Sequence, residues 1–144
     1  MSDVDLEKAG LARAALHRFL GLEFLEPEPG AGFVEVRMPF SDNLRRQDGE
    51  DILHGGVLAS LIDVAGVWAL AAAGTHQGPT VDMRVDFLRA AYPREHIARA
   101  KVVRLGRNFA VTDVDVVDDQ GRLVAKGRGL FSVVPEHAPP AKGG

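Results

Sequence analysis

Hydrophobic and polar positions change character three times along the chain. The most distinctive stretch is Val57 to Ala73, in which only Asp63 is charged and only Ser60 is otherwise polar. A run this long exceeds a typical strand, and its Ala and Leu content predicts a helix. It is apolar all round, so it is expected to be buried on every side. At 17 residues with a central carboxylate it reads as a core helix and not a membrane span. Before it, residues 4–18 show an amphipathic helical period carried by Leu6, Leu11, Ala14, Ala15 and Leu16. Leu20 to Leu25 follows as a short strand, ended by the run Glu26-Pro27-Glu28-Pro29-Gly30. Phe33 to Met38 alternates, with Val34, Val36 and Met38 on one face and Glu35 and Arg37 on the other, which predicts a half-buried strand.

After Gly74 the period becomes two. Thr80 to Leu88 sets Val81, Met83, Val85 and Phe87 against Asp82, Arg84 and Asp86. Ile97 to Leu105, Phe109 to Val117 and Leu123 to Val134 read as further strands, separated by turn signals at Gly106-Arg107-Asn108 and Asp118-Asp119-Gln120-Gly121. Short connections imply antiparallel pairing. The expected architecture is α+β, with an antiparallel sheet of five or six strands curled around one long buried helix and an N-terminal helix beside it. Residues 1–19 form that N-terminal helix, 20–134 one domain, and 135–144 a Pro- and Gly-rich flexible tail. One sheet cannot cover every face of the central helix. The simplest partner for the remainder is the same helix of a second subunit about a two-fold axis.

Composition narrows the function classes. The chain has 144 residues and a net charge of −3, so neither nucleic acid nor an anionic membrane is expected as a partner. It contains no cysteine, which excludes disulfides, thiol catalysis and thiolate metal sites. Its five histidines are scattered without HxxxH spacing, so no metal site is expected. Ser60 lacks a nucleophile elbow. The N-terminus has an acidic start and no apolar signal core, and a cytoplasmic location is expected.

The candidate chemistry sits at the front and middle of the central helix. The first N–H groups of a helix have no internal partner and carry partial positive charge. Gly55 and Gly56, after His54, allow a carbonyl oxygen or an anion to approach them closely. A lone carboxylate such as Asp63 inside an apolar helix costs several kcal/mol unless something pairs with it or uses it.

These residues resemble a known family. His54-Gly55-Gly56, Asp63 nine positions after His54, Pro79-Thr80-Val81-Asp82-Met83 and Phe87-Leu88-Arg89 resemble the hotdog-fold acyl-CoA thioesterases of the PaaI-like group, over residues 20 to 134. The resemblance implies a hotdog fold, homodimers joined sheet edge to sheet edge and often homotetramers. It implies an acyl-CoA substrate with an aromatic or medium-length acyl group, and no cofactor besides the coenzyme A of the substrate. By position, Gly55 would polarise the thioester carbonyl, Asp63 would act as nucleophile or general base, and Thr80 would position water or the carboxylate. The family's loop Asn has no secure match. Asp48 stands in its place beside Gln47, and Gln47 is the substitute candidate.

From Gly55 to Asp63 is eight residues, or about 12 Å along a helix, too far for both to serve one carbonyl from one chain. Two antiparallel helices across a two-fold axis bring Gly55 of one chain to Asp63 of the other, making a shared site. Each residue also has a plainer reading. Asp63 could cap a strand, His54 could orient the helix entry as readily as take part in the chemistry, and Thr80 could be a strand residue. Arg104, Arg107, Lys126 and Arg128 could hold coenzyme A phosphates or form a solvated face. Three functions stay open: a thioesterase, a non-catalytic binder of acyl-CoA or another apolar ligand, and a hotdog dehydratase or hydratase, which needs a His against the substrate.

Overall fold

The structure, a computed structural model, describes residues 10–134. The flexible tail expected at 135–144 and the first part of the expected N-terminal helix lie outside the described residues. Residues 10–13 are helical, and after a break at extended Ala14 (φ −62°, ψ 132°) the helix resumes as α1, Ala15–Phe19. None of α1 is buried, and Leu16 and Phe19 are half-exposed. The expected continuous helix over 4–18 is therefore interrupted, and of its apolar side Leu11 alone among the described residues packs against the core.

The first strand is shorter than expected. β1 is Glu23–Phe24, because Leu20 and Gly21 (φ 67°) form the turn that leaves α1. β2 is Val34–Met38, with Val34, Val36 and Met38 buried as their alternation requires. The central helix α2 is Gly55–Ala72 and is followed by β3 (Gln77–Phe87), β4 (His96–Leu105), β5 (Phe109–Asp118) and β6 (Leu123–Val133). The six strands form one antiparallel sheet in the order β1-β2-β4-β5-β6-β3, so among the described residues β3 pairs only with β6 and leaves one edge open.

The sheet wraps the helix closely because small residues face it. Ala98 and Ala100 of β4 are fully buried beneath α2. On β6, a Cβ at Gly127 would stand 2.4 Å from Cγ2 of Ile62. On the helix, a Cβ at Gly66 would stand 2.6 Å from Thr112 Oγ1 and 2.9 Å from Phe131 Cζ. Trp68 closes the remaining side, edge-on to Phe24 and donating Nε1–H to the Leu25 carbonyl at 3.3 Å.

The helix is not buried on every side within one chain. Leu58, Leu61, Ile62, Val64, Ala65 and Trp68 are buried, whereas Gly56, Ala59, Ser60, Asp63 and Val67 keep solvent access. Those five recur at helical spacing and form one stripe that the chain's own sheet leaves uncovered. Val81 on the edge strand β3 is also incompletely covered, at 55% exposed.

Candidate active site

The site is built from the entrance of α2, its uncovered stripe and the adjoining edge strand. The chain enters through a laced loop. Leu53 N–H donates to the Ala91 carbonyl and His54 N–H to the Leu44 carbonyl, both at 2.8 Å. His54 is the N-cap, extended at φ −67° and ψ 131°, and its Nδ1 accepts from Gly56 N–H at 2.9 Å. In neutral His54 the ring proton therefore sits on Nε2. Val57 N–H is taken by the His54 carbonyl at 3.0 Å. Among the described residues no partner meets the Gly55 N–H, which is left as the donor at the positive end of the helix. Gly56, the other candidate donor, is committed to the cap.

Two turns along, Asp63 lies on the uncovered stripe, partly exposed. Thr80 Oγ1 donates to Asp63 Oδ1 at 2.7 Å. Among the described residues Oδ2 accepts no hydrogen bond, so one oxygen is held and the other is free. Thr80 reaches Asp63 because β3 is irregular there, with register shifts against β6 on both sides of Thr80. Strict alternation would put Thr80 outward with Asp82, Arg84 and Asp86; the bulge turns it inward to the helix. Ser132 supports this bend. Its Oγ–H donates to the Pro79 carbonyl at 3.1 Å and fills the space a Cβ on Gly78 would occupy. Sequence reasoning missed Ser132, although the Gly78-Pro79 pair inside a strand pattern signals a bulge.

Residues 50–125, just over half of the chain, match the model of the thioesterase superfamily. A Halobacterium salinarum protein, provisionally named as an esterase, is 35% identical over 126 residues, covering 80% of this chain and 82% of that one. The chain belongs to the thioesterase superfamily. Its fold is the hotdog. The E. coli PaaI protein of the phenylacetic acid degradation operon superposes with a TM-score of 0.78 at 26% identity, over 93% of this chain and 96% of that one. A hypothetical thioesterase of Streptococcus pneumoniae, solved with coenzyme A, shares the fold at 22% identity, with a TM-score of 0.75 over 90% and 98% of the two chains.

Within this superfamily fold the structure brings some predicted residues together and separates others. Asp63 and Thr80 meet, as do His54 and Gly56. Gly55 lies at the other end of the same helix segment and does not meet Asp63 within the chain. Gln47 and Asp48 sit at the tip of a small hairpin closed by the Arg45–Leu53 bridge. There the Gln47 amide donates to Glu50, whose carboxyl Arg46 also binds at 2.7 and 2.8 Å and holds below its usual range. That bond uses one of the two Gln47 amide N–H groups and leaves the other, with the amide oxygen, without a partner among the described residues.

The four basic candidates also divide. Arg128 is taken by Asp113 through two bonds of 2.6 and 2.8 Å, which lower the Asp113 carboxyl's pKa, and Lys126 pairs with Asp115. Both belong to an outward-facing ladder of cross-strand ion pairs. Arg104 and Arg107 lie around the β4–β5 turn and have no carboxylate partner among the described residues. Asp113 and Asp115 are the acidic half of the ladder. His96 is fully buried, and neither ring nitrogen meets a partner within hydrogen-bonding geometry. Among the described residues no group of three or more His, Asp or Glu is placed to hold a metal.

Proposed function

We propose that the protein hydrolyses the thioester of an acyl-CoA at a site shared between two chains. The observation that carries this reading is Asp63: a carboxylate on the uncovered stripe of an apolar helix, one oxygen held by Thr80 at 2.7 Å and the other free. The thioester carbonyl accepts from Gly55 N–H of one chain. Asp63 of the partner chain takes a proton from water, whose oxygen attacks the carbonyl carbon, or attacks that carbon itself and is released by water afterwards. In either route negative charge grows on the carbonyl oxygen, where the Gly55 donor and the helix dipole stabilise it. The carbon–sulfur bond then breaks, releasing a carboxylic acid and the coenzyme A thiol. No resident cofactor is needed. That a protein of this fold was solved with coenzyme A supports an acyl-CoA substrate, and the unpaired Arg104 and Arg107 suit its phosphates. Buried His96 is not placed as the acid–base group a dehydratase needs, and His54 is committed through Nδ1 to the helix cap.

The uncovered stripe and the open β3 edge support a dimer, since a second copy would cover both together. Asp63→Asn tests the chemistry. The amide keeps an acceptor for Thr80 but removes the charge, and hydrolysis of acyl-CoA should fall at least about a hundredfold with folding unchanged. Mixing Asp63→Asn chains with chains carrying a bulky residue at Gly55 tests the sharing. Each homodimer should be inactive, whereas a heterodimer keeps one intact site and recovers about half of normal activity. Full activity in Asp63→Asn would refute the mechanism, and no recovery after confirmed subunit exchange would refute the shared site.

A further inference from the structure

Phe87 ends β3 directly over the helix entrance. A Cβ on Gly55 would stand 3.3 Å from Phe87 Cε1 and 3.5 Å from Cζ, so one edge of the ring lies against the residue whose N–H has no partner. The position is fixed by the segment that follows. Leu88 and Arg89 N–H groups both donate to the Val124 carbonyl, at 2.9 and 3.3 Å, and Leu53 N–H donates to the Ala91 carbonyl. Yet Phe87 is 56% exposed, and Leu88 (52%) and Tyr92 (46%) of the following segment are exposed too. A carbonyl oxygen on Gly55 N–H therefore brings one of the carbonyl's two substituents against this ring.

The two substituents differ in chemistry. The pantetheine arm of coenzyme A carries amides that need hydrogen-bond partners when they leave water. The Phe87 ring offers none, and the backbone N–H groups of Leu53, Leu88 and Arg89 beside it are already taken. An apolar acyl group needs none. Resting on the thioesterase reading, we infer that Phe87 is a specificity-determining residue. Its ring is the surface on which the acyl group packs beside the Gly55 donor, and it selects acyl groups that present an aryl or similarly broad apolar face next to the carbonyl. Ring-on-ring contact adds to plain burial when the acyl group is aromatic.

The test compares wild type, Phe87→Ala and Phe87→Leu on acetyl-CoA, hexanoyl-CoA and phenylacetyl-CoA. A pocket contact of this size is worth a factor of about 10 or more. Phe87→Ala should lower kcat/KM for phenylacetyl-CoA by about that factor and for acetyl-CoA by less than about twofold, with Phe87→Leu between them. Binding of two non-hydrolysable thioethers, phenacyl-CoA and acetonyl-CoA, should show the same preference lost in Phe87→Ala. Equal losses on all three substrates, or no loss on phenylacetyl-CoA, would overturn the assignment. So would dissociation of the assembly by Phe87→Ala in sedimentation, which would make the ring an interface residue. If wild type hydrolyses none of the substrates, the thioesterase reading fails, and the phenacyl-to-acetonyl binding ratio still decides whether Phe87 holds the acyl group.

Discussion

Replacing Gly66 with alanine sets two opposed effects against each other. In an isolated helix the change favours folding by about 1 kcal/mol. Here the added methyl would stand 2.6 Å from Thr112 Oγ1 and 2.9 and 3.1 Å from Phe131 Cζ and Cε2. Ordinary carbon contacts lie at about 3.5–4.0 Å, so the overlap approaches 1 Å on two side chains. Neither can withdraw into solvent, since Thr112 is 0% and Phe131 1% exposed. Overpacking of this kind costs about 1–3 kcal/mol, and two hard contacts place it in the upper part of that range. The net expectation is a loss of about 1–2 kcal/mol, read as a lower urea midpoint at fixed protein concentration with an unchanged slope. Phe131→Leu removes the struck ring atoms. The double mutant should therefore lose less than the sum of the single losses, with a coupling of about 1 kcal/mol. Gly66 follows Asp63 by less than a turn, so relief of the clash by helix displacement should also lengthen the 2.7 Å Thr80–Asp63 bond and slow hydrolysis. A Gly66→Ala protein as stable as wild type, or strict additivity with Phe131→Leu, would refute this account of the helix–sheet contact.

Three further outcomes can be checked together. His54→Asn keeps a side-chain acceptor for Gly56 N–H and should retain most activity, whereas His54→Ala loses the cap, at a cost of about 1 kcal/mol in thermal or urea unfolding; a drop of a hundredfold in kcat for His54→Asn would show that the imidazole takes part in the chemistry. Burial holds the His96 imidazole below its ordinary range, against the nearby Asp118 and Asp119. The unfolded chain then binds a proton that the folded one refuses, so stability should be level above about pH 6.5 and fall as the pH drops below it; His96→Leu should flatten that slope in denaturation at pH 5 to 7, and an unchanged slope would count against it. Finally, sedimentation should show a dimer or larger assembly, and a stable folded monomer at micromolar concentration would remove the shared site.

Much of the fold was legible because it rests on local periodicity. The alternation of Val34, Val36 and Met38 in β2 needs only the two-residue period of a strand. The helix Gly55–Ala72 needs only a long apolar run behind a Gly pair, and its one charge marks Asp63 as a candidate wherever the helix lies. What lies between elements was not legible in that way. The pattern placed Val81 with Met83, Val85 and Phe87, but the bulge at Thr80 reverses the faces there and sends Thr80 to Asp63, 17 positions away. Register carries this information, and a shift of one residue exchanges the two faces of a strand. For the same reason, spacing could not show that Arg128 is consumed by Asp113 across β5 and β6, or that Phe87 lies over Gly55. The sequence alone determined which residues are able to do chemistry. Tertiary packing decided which of them meet, because burial and strand pairing are properties of neighbours in space and the hydrophobic pattern records only neighbours along the chain.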